Sequence, residues 1–224
     1  MSLTREHRLN ALGLLPVWRR RNAVPIAEAD ADAARDSNIE DDWAALESEI
    51  RTCTRCPLHT TRRNAIPGAG DRRANWLIVS EAPDAEAAAQ GEPFVGQAGH
   101  MLDAMLAAIG LKRGENVYIT HILKSHPLAN RDPSPDEIIA CRPYLERQIA
   151  LIQPRIILTL GRFAAQTLLS TDTRVDRLRG QIHLYQGVPL VVTFHPAYLL
   201  RSPADKGRAW ADLLLARRQL KALQ

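Results

Sequence analysis

The chain has 224 residues, 46% of them hydrophobic, which is room for one α/β domain with a short appendage and apolar content for a sizeable core. No apolar run approaches the roughly 18–20 residues that cross a bilayer, and the opening MSLTREHRLN lacks the apolar stretch of an export signal, so membrane-spanning and secreted classes are set aside and the cytoplasm is expected. The formal net charge of +4 conceals a local −8 over residues 28–49, which leaves +12 on the rest and makes a polyanion a fitting partner.

In chain order, residues 5–25 (REHRLNALGLLPVWRRRNAVP) place Leu9, Leu12 and Leu15 on one stripe beside Trp18 and a basic triplet, the pattern of a docking peptide. The acidic residues that follow include few bulky apolar ones and read as a flexible linker. Docking peptide and linker together are assigned to 1–44, and a folded domain to 45–224. In RTCTRCPL, Cys53 and Cys56 offer two thiols at metal-ligand spacing, and Cys141 is the only other cysteine. Zinc and iron–sulfur sites normally take four ligands, so either a non-cysteine completes the set or no site remains. With three cysteines in a cytoplasmic chain, a structural disulfide is not expected.

Four short β-branched, apolar segments read as buried strands: 76–80, 116–123, 155–161 and 189–195. Helices are expected at 97–109, where Ala98, Met101, Leu102, Met105, Leu106 and Ile109 recur at helical spacing, and from Ser134-Pro135-Asp136-Glu137 to about 152. Two more are expected at 162–169 and 204–221. Alternating strand and helix implies a three-layer α/β sandwich around a mostly parallel four-stranded sheet. The polar residues after each strand, Ser80-Glu81, His121 to His126, Gly161 and His195, should then meet in one cleft.

The order and spacing of SEAPDAEAAAQGEPFVGQAGHMLD (80–103), VDRLRGQ (175–181), TFHPAYLLR (193–201) and the cysteine pair resemble the family-4 uracil-DNA glycosylases over about residues 45–220. The resemblance implies an enzyme that flips uracil, or a related deaminated base, out of DNA and hydrolyses its N-glycosidic bond in base-excision repair. It makes Glu81 the group that holds the attacking water and stabilises the cationic sugar. It makes His195 the donor to the developing oxyanion, and Phe94 the stacking platform with His121 at the base edge. Lys124, Arg131 and Arg201 would meet phosphate, and Leu199 or Leu200 would wedge into the duplex.

Three departures carry chemistry. Glycines of the family's first motif are replaced by Ser80 and Asp84. The asparagine that reads uracil is replaced by His121, and a neutral imidazole cannot place a donor and an acceptor side by side as an amide does. The family's four-iron four-sulfur cluster takes four cysteines, and Ser125 stands where the third belongs. That leaves Cys53, Cys56 and Cys141 with Ser125 or His126 as the fourth ligand of a 4Fe-4S cluster or of zinc, or else three free thiols. LNALGLLPVWRRR, finally, is similar to the start of the psi subunit of the DNA polymerase III clamp-loader complex, whose peptide docks on the chi subunit. The alternative this resemblance implies is a weak or inactive glycosylase fold serving as a replisome subunit.

Overall fold

The computed structural model describes the backbone of residues 26–223 and the side chains of residues 39–223; the expected docking peptide at 5–25 lies outside the described residues. The described residues from Asp41 onward form one compact unit. Helix α1 spans Ile26–Thr52, so the acidic stretch expected as linker is helical from Ile26 onward. Its alanines and glutamates are good helix formers, and neither glycine nor proline interrupts them. Apolar residues gather on one face only from Trp43, where Trp43, Leu46 and Ile50 are fully buried.

All four expected strands are present. They are β2 (Trp76–Ser80), β3 (Val117–His121), β4 (Ile156–Leu160) and β6 (Val188–Thr193), with short edge strands β1 (Ala69–Gly70) and β5 (Ile182–Tyr185) added on either side. The sheet order is β1-β3-β2-β4-β6-β5, parallel through the central four and antiparallel at both edges. Every residue of β2, β3 and β4 is buried, as a parallel sheet covered on both faces requires. Strand β5 turns into β6 through Gln186 and Gly187, both with positive φ (48° and 84°), the two-residue turn that suits the twist of a hairpin.

Residues of alternate parity supply the two faces of the sheet. On one, Trp76, Ile78, Ile119, Leu158 and Val191 pack with α3 (Gly96–Ala108) and α8 (Lys206–Ala222) through Leu102, Leu106, Leu213 and Ala216. On the other, Tyr118 packs on Trp43 with ring centroids 5.3 Å apart, and Thr120 meets Gln148 of α4 (Pro135–Ile152) at 3.0 Å. Helix α4 opens on a complete capping box: Ser134 Oγ accepts from the Glu137 amide (3.3 Å) and Glu137 accepts from the Ser134 amide (3.0 Å). Four shorter elements complete the chain of events around the sheet: α2 (Ala85–Gln90), α5 (Arg162–Leu169), α6 (Val175–Leu178) and α7 (Pro196–Arg201). Among the described residues no helix is long and apolar enough to cross a membrane.

One charged pair ties α8 to the sheet. Asp212, fully buried, accepts from Arg179 Nε and Nη2 (3.0 and 2.9 Å) and from Thr193 Oγ1 (3.0 Å). Arg179 is therefore committed to the interior rather than to a ligand. Because Asp212→Ala leaves a desolvated guanidinium without its partner, it should destabilise the fold by about 3–5 kcal/mol in denaturant titration; a loss under about 1 kcal/mol would contradict this role.

Candidate active site

The central strands run parallel, so their carboxyl ends share one edge of the sheet. Ser80, closing β2, stands in register with His121, closing β3. Glu81 and Gly161 directly follow β2 and β4, and His195 lies two residues beyond β6. Glu81, Gly161 and His195 line a cleft of about 620 Å³ whose rim carries Arg162, Arg174 and Arg201. A hollow of about 130 Å³ adjoins the same Glu81 and His195 and is walled by Asp84, His126 and Arg131.

Glu81 is docked on the start of α5. Its Oε1 accepts from the Phe163 amide at 3.1 Å. The approach depends on Gly161, whose φ is +93° and where an added Cβ would stand 2.5 Å from Oε1. Burial raises the Glu81 pKa above its ordinary 4.5, while the amides of Phe163 and Arg162 and the Arg162 charge oppose it. The outcome is a carboxylate held away from bulk water by fixed dipoles and aimed into the cleft.

His195 caps α7, and its Nδ1 accepts from the Ala197 amide at 3.2 Å. An amide can only donate, so the neutral ring carries its proton on Nε2. Burial lowers the pKa from 6.5 to about 4, with Arg201 adding to the shift and Asp84 opposing it. His195 is thus a neutral donor at physiological pH, suited to an oxygen that gains negative charge.

Phe94 neighbours two imidazoles. Its ring centroid is 5.4 Å from that of His121, at 15° between planes, and 5.6 Å from that of His195, at 28°. His121 is 2% exposed and Phe94 6%. Burial, then the charges of Lys124 and His195, push the His121 pKa well below 6.5, so this ring is neutral as well. Its buried Nδ1 has no hydrogen-bond partner in the protein. Buried polar atoms rarely remain so.

Several expected site residues take other places. Lys124, expected on phosphate, is 2% exposed, and its ammonium donates to Thr120 Oγ1 (2.7 Å), the His121 carbonyl (2.6 Å) and Gln148 Oε1 (2.7 Å). It braces the end of β3 from inside. Leu199 is fully buried in the core and cannot be the wedge, whereas Leu200 is 40% exposed. Arg131 stands half exposed at the rim of the smaller hollow, its guanidinium engaged with Glu137 at 2.5 and 2.9 Å. Arg201 lines the main cleft. Arg162 was not singled out by sequence; it faces the cleft because it opens the helix that receives Glu81.

Of the three cysteines, Cys141 lies on α4, and Cys53 and Cys56 follow the end of α1. Cys141 is buried, and its thiol is pushed up by burial against a hydrogen bond from the Lys124 amide; it also feels Cys56 and Cys53. Cys53 Sγ accepts from the Arg55 amide at 3.4 Å. His126 is not turned toward them: its Nδ1 contacts the Pro83 carbonyl at 3.0 Å and it walls the hollow beside Glu81. Ser125, buried, brings a hydroxyl in place of a thiolate. Among the described residues no three His, Cys, Asp or Glu side chains are grouped to hold a metal. This donor set does not fit a four-thiolate cluster, and the chemistry below uses none.

Comparison with known proteins identifies the family. A family model described as the uracil DNA glycosylase superfamily matches residues 67–214. The type-4 uracil-DNA glycosylase of Archaeoglobus fulgidus is 43% identical over 163 residues, covering 69% of this chain and 81% of the relative. Those of Pyrobaculum aerophilum and Thermotoga maritima are 40% identical over 182 residues (78% and 92% covered) and 36% identical over 165 residues (73% and 85% covered). The chain belongs to the uracil-DNA glycosylase superfamily.

Proposed function

We propose that this chain excises uracil from DNA by hydrolysing the N-glycosidic bond. The observation that carries the reading is the placement of an ionisable carboxyl, Glu81, and a neutral donor, His195, on one cleft beside the buried Phe94 and His121 rings. Scission of N1–C1′ sends the bonding electrons to the base, leaving a uracil anion and a cationic sugar. Nε2–H of His195 would meet the charge that grows on O2. The Glu81 carboxylate would stabilise the sugar and orient a water, whose oxygen bonds to C1′ as one proton is released. Free uracil and an abasic site result.

A flipped base that takes Phe94 as its platform would meet His121 and His195 at its edges. His121 then supplies a single donor or acceptor to the base edge, fewer than the paired contacts of an amide. Leu200 is the wedge of the two candidates, and Arg162, Arg174 and Arg201 line the path of the backbone. A chain that acts on DNA would work in the cytoplasm, beside the nucleoid. Docking of residues 5–25 on the chi subunit rests on sequence alone. The inactive-subunit alternative is set aside, since a chain without catalysis has no use for this pairing of Glu81 and His195.

With uracil-containing oligonucleotides, single- and double-stranded, wild type should release uracil. Glu81→Gln or His195→Ala should slow release by about 10²–10³-fold, the usual loss when such groups are removed, while DNA is still bound. Unchanged rates would overturn the reading. His121→Asn restores a donor and an acceptor on one edge and should speed excision at least about tenfold, or about 1.4 kcal/mol of transition-state stabilisation; a slower enzyme would show that the imidazole is itself the preferred reader. For the cysteines, iron analysis of anaerobically purified protein should find less than one full cluster per chain, and Ser125→Cys should raise the iron content and visible absorbance. Full loading of wild type would show that the serine position is ligated after all.

A further inference from the structure

Phe94 adopts a backbone conformation that a bulky residue avoids, with φ at +58°. Something must hold it there. The hydrogen bonds around it converge on Arg113, which follows α3 and precedes β3 in the chain. Arg113 Nη1 donates to the Pro93 carbonyl at 2.7 Å, and Nη2 to the Phe94 carbonyl at 3.0 Å. Its Nε donates to Asp103 Oδ1 of α3 at 3.0 Å, which orients the guanidinium. Gly99 closes on the same peptide beside the fork: an added Cβ there would stand against the Phe94 oxygen and 3.6 Å from Arg113 Nη2. Two successive carbonyls thus point at one planar fork, a geometry that guanidinium satisfies and a single ammonium does not.

We infer that Arg113 is a positioning residue for base excision, fixing the Phe94 peptide so that the ring is presented to the flipped base. The inference rests on the reading of Phe94 as the base platform. Arg113 is only about a quarter exposed and its donors are taken by the protein, so it is not a phosphate contact, although sequence groups it with Lys112 as a basic pair. Its role follows from the strain: the Phe94 peptide keeps its positive φ while its carbonyl is held by the fork. Without the fork, the strained Phe94 peptide relaxes and the ring loses its aim beside His121 and His195.

A double-mutant cycle tests this on the full chain, using single-turnover excision from a uracil oligonucleotide together with hydrogen exchange. Arg113→Ala should lower excision about 30-fold and speed amide exchange across 92–99. Arg113→Lys should fall between it and wild type. In a Phe94→Ala background, Arg113→Ala should cost less than about twofold, because its effect passes through the ring that is already gone. Equal losses in both backgrounds would overturn the inference while leaving uracil excision intact. Unchanged exchange at 92–99 in Arg113→Ala would overturn it whatever the activity. A wild type inert on uracil would overturn the excision reading, and with it the catalytic role of Arg113.

Discussion

The site depends on one close approach, that of the Glu81 carboxylate to the first amides of α5 across Gly161. Any side chain at 161 would enter the space that Oε1 occupies. Because the glycine is the first residue after β4 and Glu81 the first after β2, the contact is a property of two neighbouring parallel strands ending level. Amides already in place stabilise the carboxylate at no reorganisation cost during the reaction. The rest of the cleft is arranged around that fixed negative group.

The second requirement is dryness, which governs both imidazoles. His195 and His121 are each held neutral, chiefly by burial. A neutral His195 with its lone pair on the Ala197 amide can only donate through Nε2. This arrangement is borne by the fold in acid. The folded pKa of His195, about 4, lies below the 6.5 of the free side chain, so between these values the unfolded chain binds the extra proton. The stability associated with the neutral ring is present above 6.5 and is lost as pH falls through 4. Ser80 adds to the same character, its buried hydroxyl lacking a protein partner at the end of β2.

Much of this was legible in the order of residues because strand ends fix neighbours. Runs such as WLIVS and RIILTLG announce buried parallel strands, and the polar residue after each must then face the cleft. Lys124 was misread because its three acceptors include Gln148, a residue 24 positions away on α4 that only the tertiary fold supplies. Leu199 and Leu200 are equivalent in sequence, yet one turn of α7 sends the first into the core and the second outward. Lys112 and Arg113 look like one basic pair. Lys112 pairs with exposed Glu115, whereas Arg113 turns inward to carbonyls, which leave no mark in the side-chain pattern. The edge strands were too short to show a period: β1 has two residues, and β5 alternates only between exposed and half-buried positions before Tyr185.

The account stands on an ionised Glu81 acting beside a neutral His195, and the pH dependence of single-turnover uracil excision from a duplex reports both. The limb that belongs to Glu81 is expected with its midpoint above 4.5, because burial raises Glu81, and should disappear in Glu81→Gln, whereas His195, at about 4, titrates below it. An acid limb centred near 6.5 that disappears in His195→Ala would mean that His195 takes up a proton in the working range, and would contradict the account.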